Sequence, residues 1–364
     1  MGRGGEGEGG VGVLAGVLVW WGRVVGRVVG GDRRYGRGEE EGFGLTTRRE
    51  ARLAGLHERH DTRVPAVRRG GRRSGRFDVR APKLTEMTTL VAWIAVDSRG
   101  PSSLYLASDS RLSWDRNTGD RDIWDHGQKV FACQKSPDVF GYVGDVTFPA
   151  QCISQICAAL DLGLVVAPGA SPSERFAAIA SRVKEAFDAY PTAQSRAFGI
   201  LHGTRAGELL GTCEFALSEI DWDPATGWSE RVIDLSPHSK EIALRGTGSV
   251  VAMKWKGIWD VTSEASTSRA VFGAICDAIA SAEDPCSGGA PQLVGLIRKG
   301  PAQILGVVYA GKPYLLGQAV DPGLVSPTVR WHNHLFERCD PTGATLPSAK
   351  SHYAPWGLGR AGDT

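Results

Sequence analysis

The run MTTLVAWIAV at Met87–Val96, followed by LYLASDSR at Leu104–Arg111, determines how this chain is interpreted. Both runs are rich in apolar and β-branched residues, which are typical of buried strands. The residues between them begin with DSRGP at 97–101, a composition that favours a turn. We therefore predict a β-hairpin whose first strand starts directly behind a methionine.

The threonine that follows this methionine could combine a nucleophile and a base in one residue. If Met87 is an initiator methionine and is removed, Thr88 carries a free α-amine. An α-amine has an ordinary pKa of about 7.7–8.0, so it can accept the hydroxyl proton of its own residue at neutral pH. The restricted χ1 of a β-branched side chain also limits where the oxygen can lie. Thr88 is thus a candidate nucleophile with its own base, unless Thr88 and Thr89 merely open a strand.

Charge is distributed unevenly along the 364 residues, a length that suits one large domain or two. The whole chain has 42 Lys and Arg against 40 Asp and Glu, a formal net charge of +2. Residues 1–86 contain 18 of the basic and 11 of the acidic residues, which leaves the remainder near −5. A mildly acidic body does not indicate a nucleic-acid-binding surface.

No apolar run reaches the roughly 18–20 residues of a membrane span. The apolar stretch at 11–21 is short and has charged residues on both sides, so it is a poor signal peptide. The seven cysteines include no Cys-x-x-Cys pair, which is typical of reduced core residues and predicts a cytoplasmic protein. The group His332, His334 and Cys339 lacks a further ligand at the expected spacing, so we predict no metal site.

Residues 1–86 differ in composition from everything after them. They are rich in Gly and Arg, as in GRVVGRVVG at 22–30, and have no sustained helical or strand periodicity. Three interpretations are open: a disordered basic arm that binds nucleic acid, a propeptide removed before use, or translated sequence upstream of the real start. The break in composition at Met87 favours the last.

The order of elements after Thr88 predicts an α+β fold with antiparallel sheets packed together and helices outside. A polar loop is expected at 113–127 and an irregular C-terminal extension at 312–364. Helices are expected at 148–162, at 172–189 with Ser171 as N-cap, and at 266–282. Further strands are expected at 128–132, 138–145, 197–202, 208–213, in patches of 214–249, and at 292–298 and 302–309.

Six short blocks occur in order along the chain: Thr88–Val91, Ala107–Arg111, Gln128–Val130, Gly141–Asp145, Gly246–Ser249 and Asp284–Gly289. Together they resemble the proteasome β-type family of N-terminal nucleophile hydrolases, especially bacterial relatives whose chains begin Met-Thr-Thr. The resemblance extends to about Tyr309, and DPCSGG at 284–289 is its most specific element. It implies a domain over residues 87–311 with a four-layer αββα sandwich around two central antiparallel sheets.

The resemblance also implies roles for an acid and a base near Thr88. Lys129 would depress the pKa of the Thr88 amine by like-charge proximity and keep it free to act as base. Asp109 would pair with Lys129 and fix its position. The alternative for these two residues is an ordinary ion pair between neighbouring strands.

The remaining implied roles concern the oxyanion and the amine. The backbone N–H of Gly144 would stabilise the oxyanion of the tetrahedral intermediate. Asp284 and Ser287 would hydrogen-bond the Thr88 amine. Thr247, which replaces the serine of a Gly-Ser-Gly block, would take a weaker part.

These residues predict a threonine-type peptidase that hydrolyses peptides or proteins through an acyl-enzyme, with no cofactor. The resemblance suggests a homo-oligomer, as a ring or an open assembly, and leaves an ATPase unfoldase partner undetermined. Three alternatives remain: an amidase acting on small amides, a catalytically inert assembly subunit, or, if residues 1–86 are real, a basic nucleic-acid-binding protein.

Overall fold

The computed structural model describes residues 88–116, 120–208, 212–324, 326 and 328–349. The predictions for residues 1–86, and the prediction that Met87 is the start, lie outside this part of the chain. The described residues form a mixed α+β structure in which all strand pairs but one are antiparallel.

The strands of the first half are β1 (Leu90–Asp97), β2 (Gly100–Ser108), β3 (Leu112–Asp115), β4 (Arg121–Trp124), β5 (Val130–Ala132), β6 (Asp138–Gly144), β7 (Phe198–Ala206) and β8 (Glu214–Asp223). Those that follow are β9 (Gly227–Ile233), β10 (Lys240–Arg245), β11 (Gln292–Ile297), β12 (Gln303–Tyr309), β13 (Lys312–Leu315), β14 (Gln318–Ala319), β15 (Arg330–Asn333) and β16 (Arg338–Cys339). The α-helices are α1 (Thr147–Asp161), α2 (Pro172–Asp188), α3 (Ser249–Trp259) and α4 (Ser268–Ser281). Short 3-10 turns occur at Thr192–Gln194 and Pro322–Leu324.

The strands form two large sheets and one small hairpin. In the larger sheet the order is β10-β1-β2-β11-β12-β13-β14, and β15, with β16 beside it, pairs with β12. The second sheet has the order β5-β6-β7-β8-β9, and β3 pairs only with β4. The predicted first hairpin is confirmed as β1 and β2, with Asp97 opposite Gly100 at the turn.

Apolar side chains from both sheets form a shared core between them. Leu90, Leu104 and Leu106 of the nine-stranded sheet belong to the same buried cluster as Val139 and Leu201 of the five-stranded sheet. Since successive side chains of a strand point to opposite faces, each sheet has a second face to cover.

Helices cover the other face of each sheet. Phe148 of α1 and Phe176 of α2 join a cluster with Phe140 of the five-stranded sheet. Val271 of α4 packs in a cluster with Val91 of β1. Strand β1 is therefore buried on both faces, which explains why its sequence is almost continuously apolar.

Two predicted helices are confirmed within one or two residues at each end as α1 and α2, and a third as α4. Ser171 is the N-cap of α2: its hydroxyl accepts from the Glu174 amide, and the Glu174 carboxylate accepts from the Ser171 amide. This capping box satisfies two backbone donors that a helix start leaves open.

Helix α3 is not among the helices that the sequence predicts, and it begins at the end of the stretch predicted to contain strands. The residues of α3 that are buried are Ser249, Ala252, Lys256 and Trp259. Their spacing is helical, but a lysine and a serine on the inner face hide the apolar stripe.

The hairpin expected from the predicted strands at 197–202 and 208–213 is wrong in its bounds, since β7 continues to Ala206 and β8 begins only at Glu214. Tertiary contacts hold this part of β7 extended. The Thr204 hydroxyl donates to the carbonyl of Pro137 at 3.2 Å, and the buried Arg205 guanidinium donates to the carbonyl of Gly300 at 2.7 Å. Residues 209–211 of the predicted partner strand lie outside the described part of the chain.

Two regions predicted to be irregular contain strands. The polar stretch 113–127 includes most of the β3–β4 hairpin. The extension predicted at 312–364 instead adds β13 and β14 to the large sheet and returns as β15, parallel to β12. These strands lie at sheet edges, where fewer side chains have to be apolar. Their polar composition therefore does not indicate strands.

In the part of the chain that the structure describes, no helix combines the length and the apolar character needed to cross a bilayer.

Candidate functional site

The site is built around the two threonines that immediately precede β1. Thr88 is buried, with an exposed fraction of 2%, and its carbonyl accepts a hydrogen bond from the Gly248 amide at 3.2 Å. The side chain of Thr89 lies on the α3–α4 side of the sheet, where its hydroxyl is 2.7 Å from the Ser287 hydroxyl. Thr88 itself lies at a bend in the chain, two residues before β1 begins at Leu90.

A fully buried ion pair lies next to these threonines. The Lys129 ammonium is 2.8 Å from Asp109 Oδ1, and neither side chain is exposed to solvent. Asp109 Oδ1 also accepts from the Thr89 amide at 3.0 Å. Its other oxygen, Oδ2, accepts from the amides of Arg111 and Gly288, each at 3.0 Å. The Asp109 carboxylate thus connects three separate stretches of the chain, at Thr89, Lys129 and Gly288.

Burial determines the proton affinity of the lysine. Desolvation lowers the pKa of Lys129 below its ordinary value, and the nearby Asp109 carboxylate opposes that shift. A lysine with a lowered pKa and a fixed carboxylate partner is an arrangement that often occurs at functional sites.

A glutamine that the sequence interpretation missed fixes the backbone on both sides of this pair. Gln292, fully buried at the start of β11, accepts from the Lys129 amide at 3.0 Å. Its side-chain amide donates to the carbonyls of Asp109 at 3.0 Å and Gly127 at 2.6 Å. A buried polar residue with every hydrogen-bonding group paired in this way indicates a built site. All three partners of Gln292 lie more than 160 positions away, so no local pattern in the sequence identifies it.

Three further predicted residues meet at one carboxylate oxygen. Asp284 Oδ2 accepts from the hydroxyls of Thr247 at 2.9 Å and Ser287 at 2.7 Å. Because Ser287 donates to Asp284, its contact with Thr89 is one in which Thr89 donates. The structure therefore brings Thr247, Asp284 and Ser287 together beside Thr89, while their role at the Thr88 amine stays a prediction.

Gly144 ends β6 opposite Phe198 of β7. Its φ is +85°, and a Cβ at this position would lie 2.4 Å from the Ala197 carbonyl oxygen, so only glycine fits. Three residues earlier, Gly141 packs directly against the Leu90 side chain. That contact sets β6 across from the head of β1, and the oxyanion role of Gly144 stays a prediction.

The loop that carries Asp284 and Ser287 is supported from the side of the β3–β4 hairpin. The Arg111 guanidinium pairs with Asp125 at 2.7 Å and donates to the Pro285 carbonyl at 3.2 Å. The carboxylate of Asp125 raises the pKa of Arg111, so the arginine is a permanent cation beside the loop.

The described residues contain no group of three or more His, Cys, Asp or Glu side chains that could hold a metal ion. Two of the three ligands considered from the sequence, His332 and Cys339, lie on β15 and β16 at the edge of the large sheet.

Gly248 provides a steric test of the site. A Cβ at this residue would lie 1.7 Å from the Thr89 hydroxyl and 2.6 Å from the Ser287 hydroxyl. Gly248→Ala should therefore push both side chains apart. For the hydrolase that the sequence predicts, with Thr88 at its amino terminus, we expect the rate of peptide hydrolysis to fall about 100-fold, as small misplacements in a site do. The measurement is the rate of peptide hydrolysis together with Tm.

The matched control is Gly257→Ala on α3, where an added Cβ meets nothing within 4 Å. This change should leave the rate unchanged and stabilise the helix by up to about 1 kcal/mol. Equal rates in the two variants would show that the packing around Gly248 is irrelevant to activity.

No family model matches the chain, and no curated protein matches it. Among solved structures, the chain is similar to Anbu (ancestral beta-subunit) from Yersinia bercovieri, with 15% sequence identity and a TM-score of 0.40 over 64% of this chain and 88% of that chain. It is also similar to the Gly-1 mutant of Anbu from Hyphomicrobium sp. strain MC1, with 13% identity and a TM-score of 0.37 over 63% of this chain and 87% of that chain. Both likenesses are distant and concern the fold alone.

Proposed function

We propose that this chain is a threonine-type amidohydrolase, with peptides as its substrates, in which Thr88 is the nucleophile. The observation that carries the proposal is the fully buried Lys129–Asp109 pair, whose carboxylate also binds the amide of Thr89. Burying two charges costs several kcal/mol per ion, and stability alone is a weak reason to keep such a pair. A role in holding charge close to Thr88 accounts for it.

We also propose that the two sheets and four helices form the four-layer αββα sandwich of N-terminal nucleophile hydrolases. The shared apolar core between the sheets supports this arrangement, as do the helices packed on their other faces. The corresponding domain would cover residues 87–311, with the later strands as an addition to the large sheet.

In the proposed reaction, the Thr88 hydroxyl oxygen attacks the carbonyl carbon of the substrate amide and its proton passes to the Thr88 amine. The Gly144 amide stabilises the oxyanion. The amine then gives its proton to the leaving nitrogen as the C–N bond breaks, which leaves an ester on Thr88. Water attacks that ester with the amine again as base, and the acid product and the free hydroxyl are released.

Lys129 contributes to this reaction through its charge. Its ammonium, held by Asp109, would lower the pKa of the Thr88 amine, so that more of the amine is unprotonated at neutral pH. A hydrogen-bonded network already connects Thr247 and Ser287 to Asp284. In the proposed reaction this network would also hydrogen-bond the Thr88 amine and so orient it.

The proposal requires that the nitrogen of Thr88 be free. A processed chain beginning at Thr88 should hydrolyse peptide amides, whereas a chain that retains residues 1–87 uncleaved should be inactive, because an acylated nitrogen cannot serve as base. The measurement combines intact mass, N-terminal sequencing and hydrolysis rate on the same two samples. Equal activity in a sample whose mass proves that residues 1–87 are present would contradict the mechanism.

Substrate class is tested on the active sample. Turnover of fluorogenic peptides with no turnover of small acyl amides would support a peptidase, and the reverse would support an amidase.

Assembly into a homo-oligomer belongs to the same proposal and is measured as the mass in solution. The seven free cysteines are in keeping with a reducing compartment.

A further inference from the structure

A second buried ion pair connects the two sheets. Glu219 of β8 accepts two hydrogen bonds from the Arg245 guanidinium, one at Oε1 and one at Oε2, the latter at 2.8 Å. Both side chains have an exposed fraction of 1%. Glu219 lies in the five-stranded sheet and Arg245 in the nine-stranded sheet, so this two-pronged contact crosses the apolar core.

The arginine lies immediately before the loop that touches the proposed nucleophile. Arg245 is the last residue of β10 and is paired with Leu90, the first residue of β1. The chain then turns at Gly246, whose φ is +82°. The next two residues make the contacts already described: Thr247 donates to Asp284, and the Gly248 amide donates to the carbonyl of Thr88.

The glutamate belongs to the sheet that carries the other half of the site. Strand β6, which ends in Gly144, and strand β5, which follows Lys129, are in the same sheet as β8. A second cation, Arg231 of β9, also donates to Glu219, at 2.6 Å, and so limits the positions that the carboxylate can take. The Glu219–Arg245 pair therefore connects the sheet of the nucleophile with the sheet of the lysine and the glycine.

Stability is a weak explanation for this pair. Replacing a buried ion pair by apolar side chains of similar volume is often neutral or stabilising, because two charges need not be desolvated. What a two-pronged arginine–carboxylate contact adds is a defined direction and distance. Apolar contacts are non-directional, whereas this contact fixes the relative position of two named strands at the end of the sheets where the site is built.

We propose that Glu219 and Arg245 are positioning residues that set the distance between the two halves of the catalytic site. This inference rests on the proposed function, and it adds a pair that touches neither substrate nor reacting atoms. Its consequence is that removing the pair should impair the chemical step more than substrate binding or folding.

The test is the double variant Glu219→Leu/Arg245→Met in the processed chain. We expect Tm to stay close to that of the parent, because the guanidinium of Arg231, which is 35% exposed, can be solvated by water once Glu219 is gone. KM should change less than about 2-fold, and kcat should fall between about 10- and 100-fold. Backbone amides at 246–249 should exchange with solvent faster than in the parent. A parent-like kcat in a folded double variant would overturn the inference.

The matched control removes a different ion pair from the same strand. Glu241 of β10 pairs with Lys256 of α3 at 3.4 Å, both largely buried, on the face away from the five-stranded sheet. Glu241→Leu/Lys256→Met should leave kcat and the exchange of amides 246–249 near parental values. An equal fall in kcat in this control would show a general effect of losing buried charge and would overturn the positioning role.

Two further experiments cover the cases in which the double variant does not fold or the parent is inactive. If the double variant does not fold, Arg245→Lys keeps the charge but loses the two-pronged contact, and it should lower kcat with KM nearly unchanged; parental kcat there would overturn the inference. If the parent itself hydrolyses nothing, the proposed function fails, and faster exchange of amides 246–249 in the first double variant alone still decides whether the pair holds that loop.

Discussion

Thr88→Ala in the processed chain should abolish amide hydrolysis, with a fall of at least about 10⁴-fold, while Tm stays near its parental value. The variant keeps the α-amine and loses only the attacking oxygen, so the reaction has no nucleophile. Thr88 is buried and alanine lacks its γ-methyl and hydroxyl, so we expect a loss of about 1 kcal/mol in the free energy of unfolding, which shifts Tm only slightly. The measurement is the rate of peptide hydrolysis under single-turnover and steady-state conditions.

Two companion variants give this result its meaning. Thr88→Ser keeps the hydroxyl and should keep most of the rate, with some loss because the unbranched side chain is less restricted in χ1. Thr89→Val removes the hydroxyl that donates to Ser287 and should cause a smaller loss than Thr88→Ala. If instead Thr89→Val were inactive and Thr88→Ala active, the nucleophile would be Thr89.

Lys129→Met should cause the second large effect, on both stability and activity. The change leaves the Asp109 carboxylate buried without its cation, for which we expect a loss of about 3–5 kcal/mol in the free energy of unfolding. It should also lower the hydrolysis rate at least about 100-fold, since the proposed means of keeping the amine unprotonated is gone. Denaturant unfolding and the hydrolysis rate at a temperature well below Tm separate the two effects.

The double variant Asp109→Asn/Lys129→Met tests whether stability explains the lost activity. Removing both charges should restore part of the unfolding free energy, since the amide oxygen of asparagine can still accept from backbone donors such as the Thr89 amide. We expect the rate to remain low. Recovery of activity along with stability would mean that the ion pair only supports the fold.

Local sequence patterns were sufficient where packing and local preference agree. The β1–β2 hairpin followed from two apolar runs and a turn composition, and the start of α2 from Ser171 and its capping pattern. The proximity of Asp109 to Lys129 was inferred from short blocks in a familiar order, and the structure brings the two side chains together.

Other features depend on contacts between residues far apart in sequence. Nothing near Gln292 in the chain indicates that it bridges Lys129, Asp109 and Gly127. Helix α3 has a lysine on its buried face, where Lys256 pairs with Glu241 of β10 as well as with Asp260 four positions on. Such choices are visible only when the partner is known, so single-residue patterns missed them.

The Asp109 carboxylate has a consequence for the order in which the molecule becomes competent. Its partners include Lys129, 20 positions away, and Gly288, 179 positions away. Contacts of such long range form late, because a large loop must close before they can stabilise anything. A chain still being synthesised therefore lacks the residues that complete the site, and we expect the capacity to cut amide bonds to arise only in finished molecules. Because activity would arise only after synthesis is complete, neighbouring nascent chains would be protected from cleavage without a separate inhibitor.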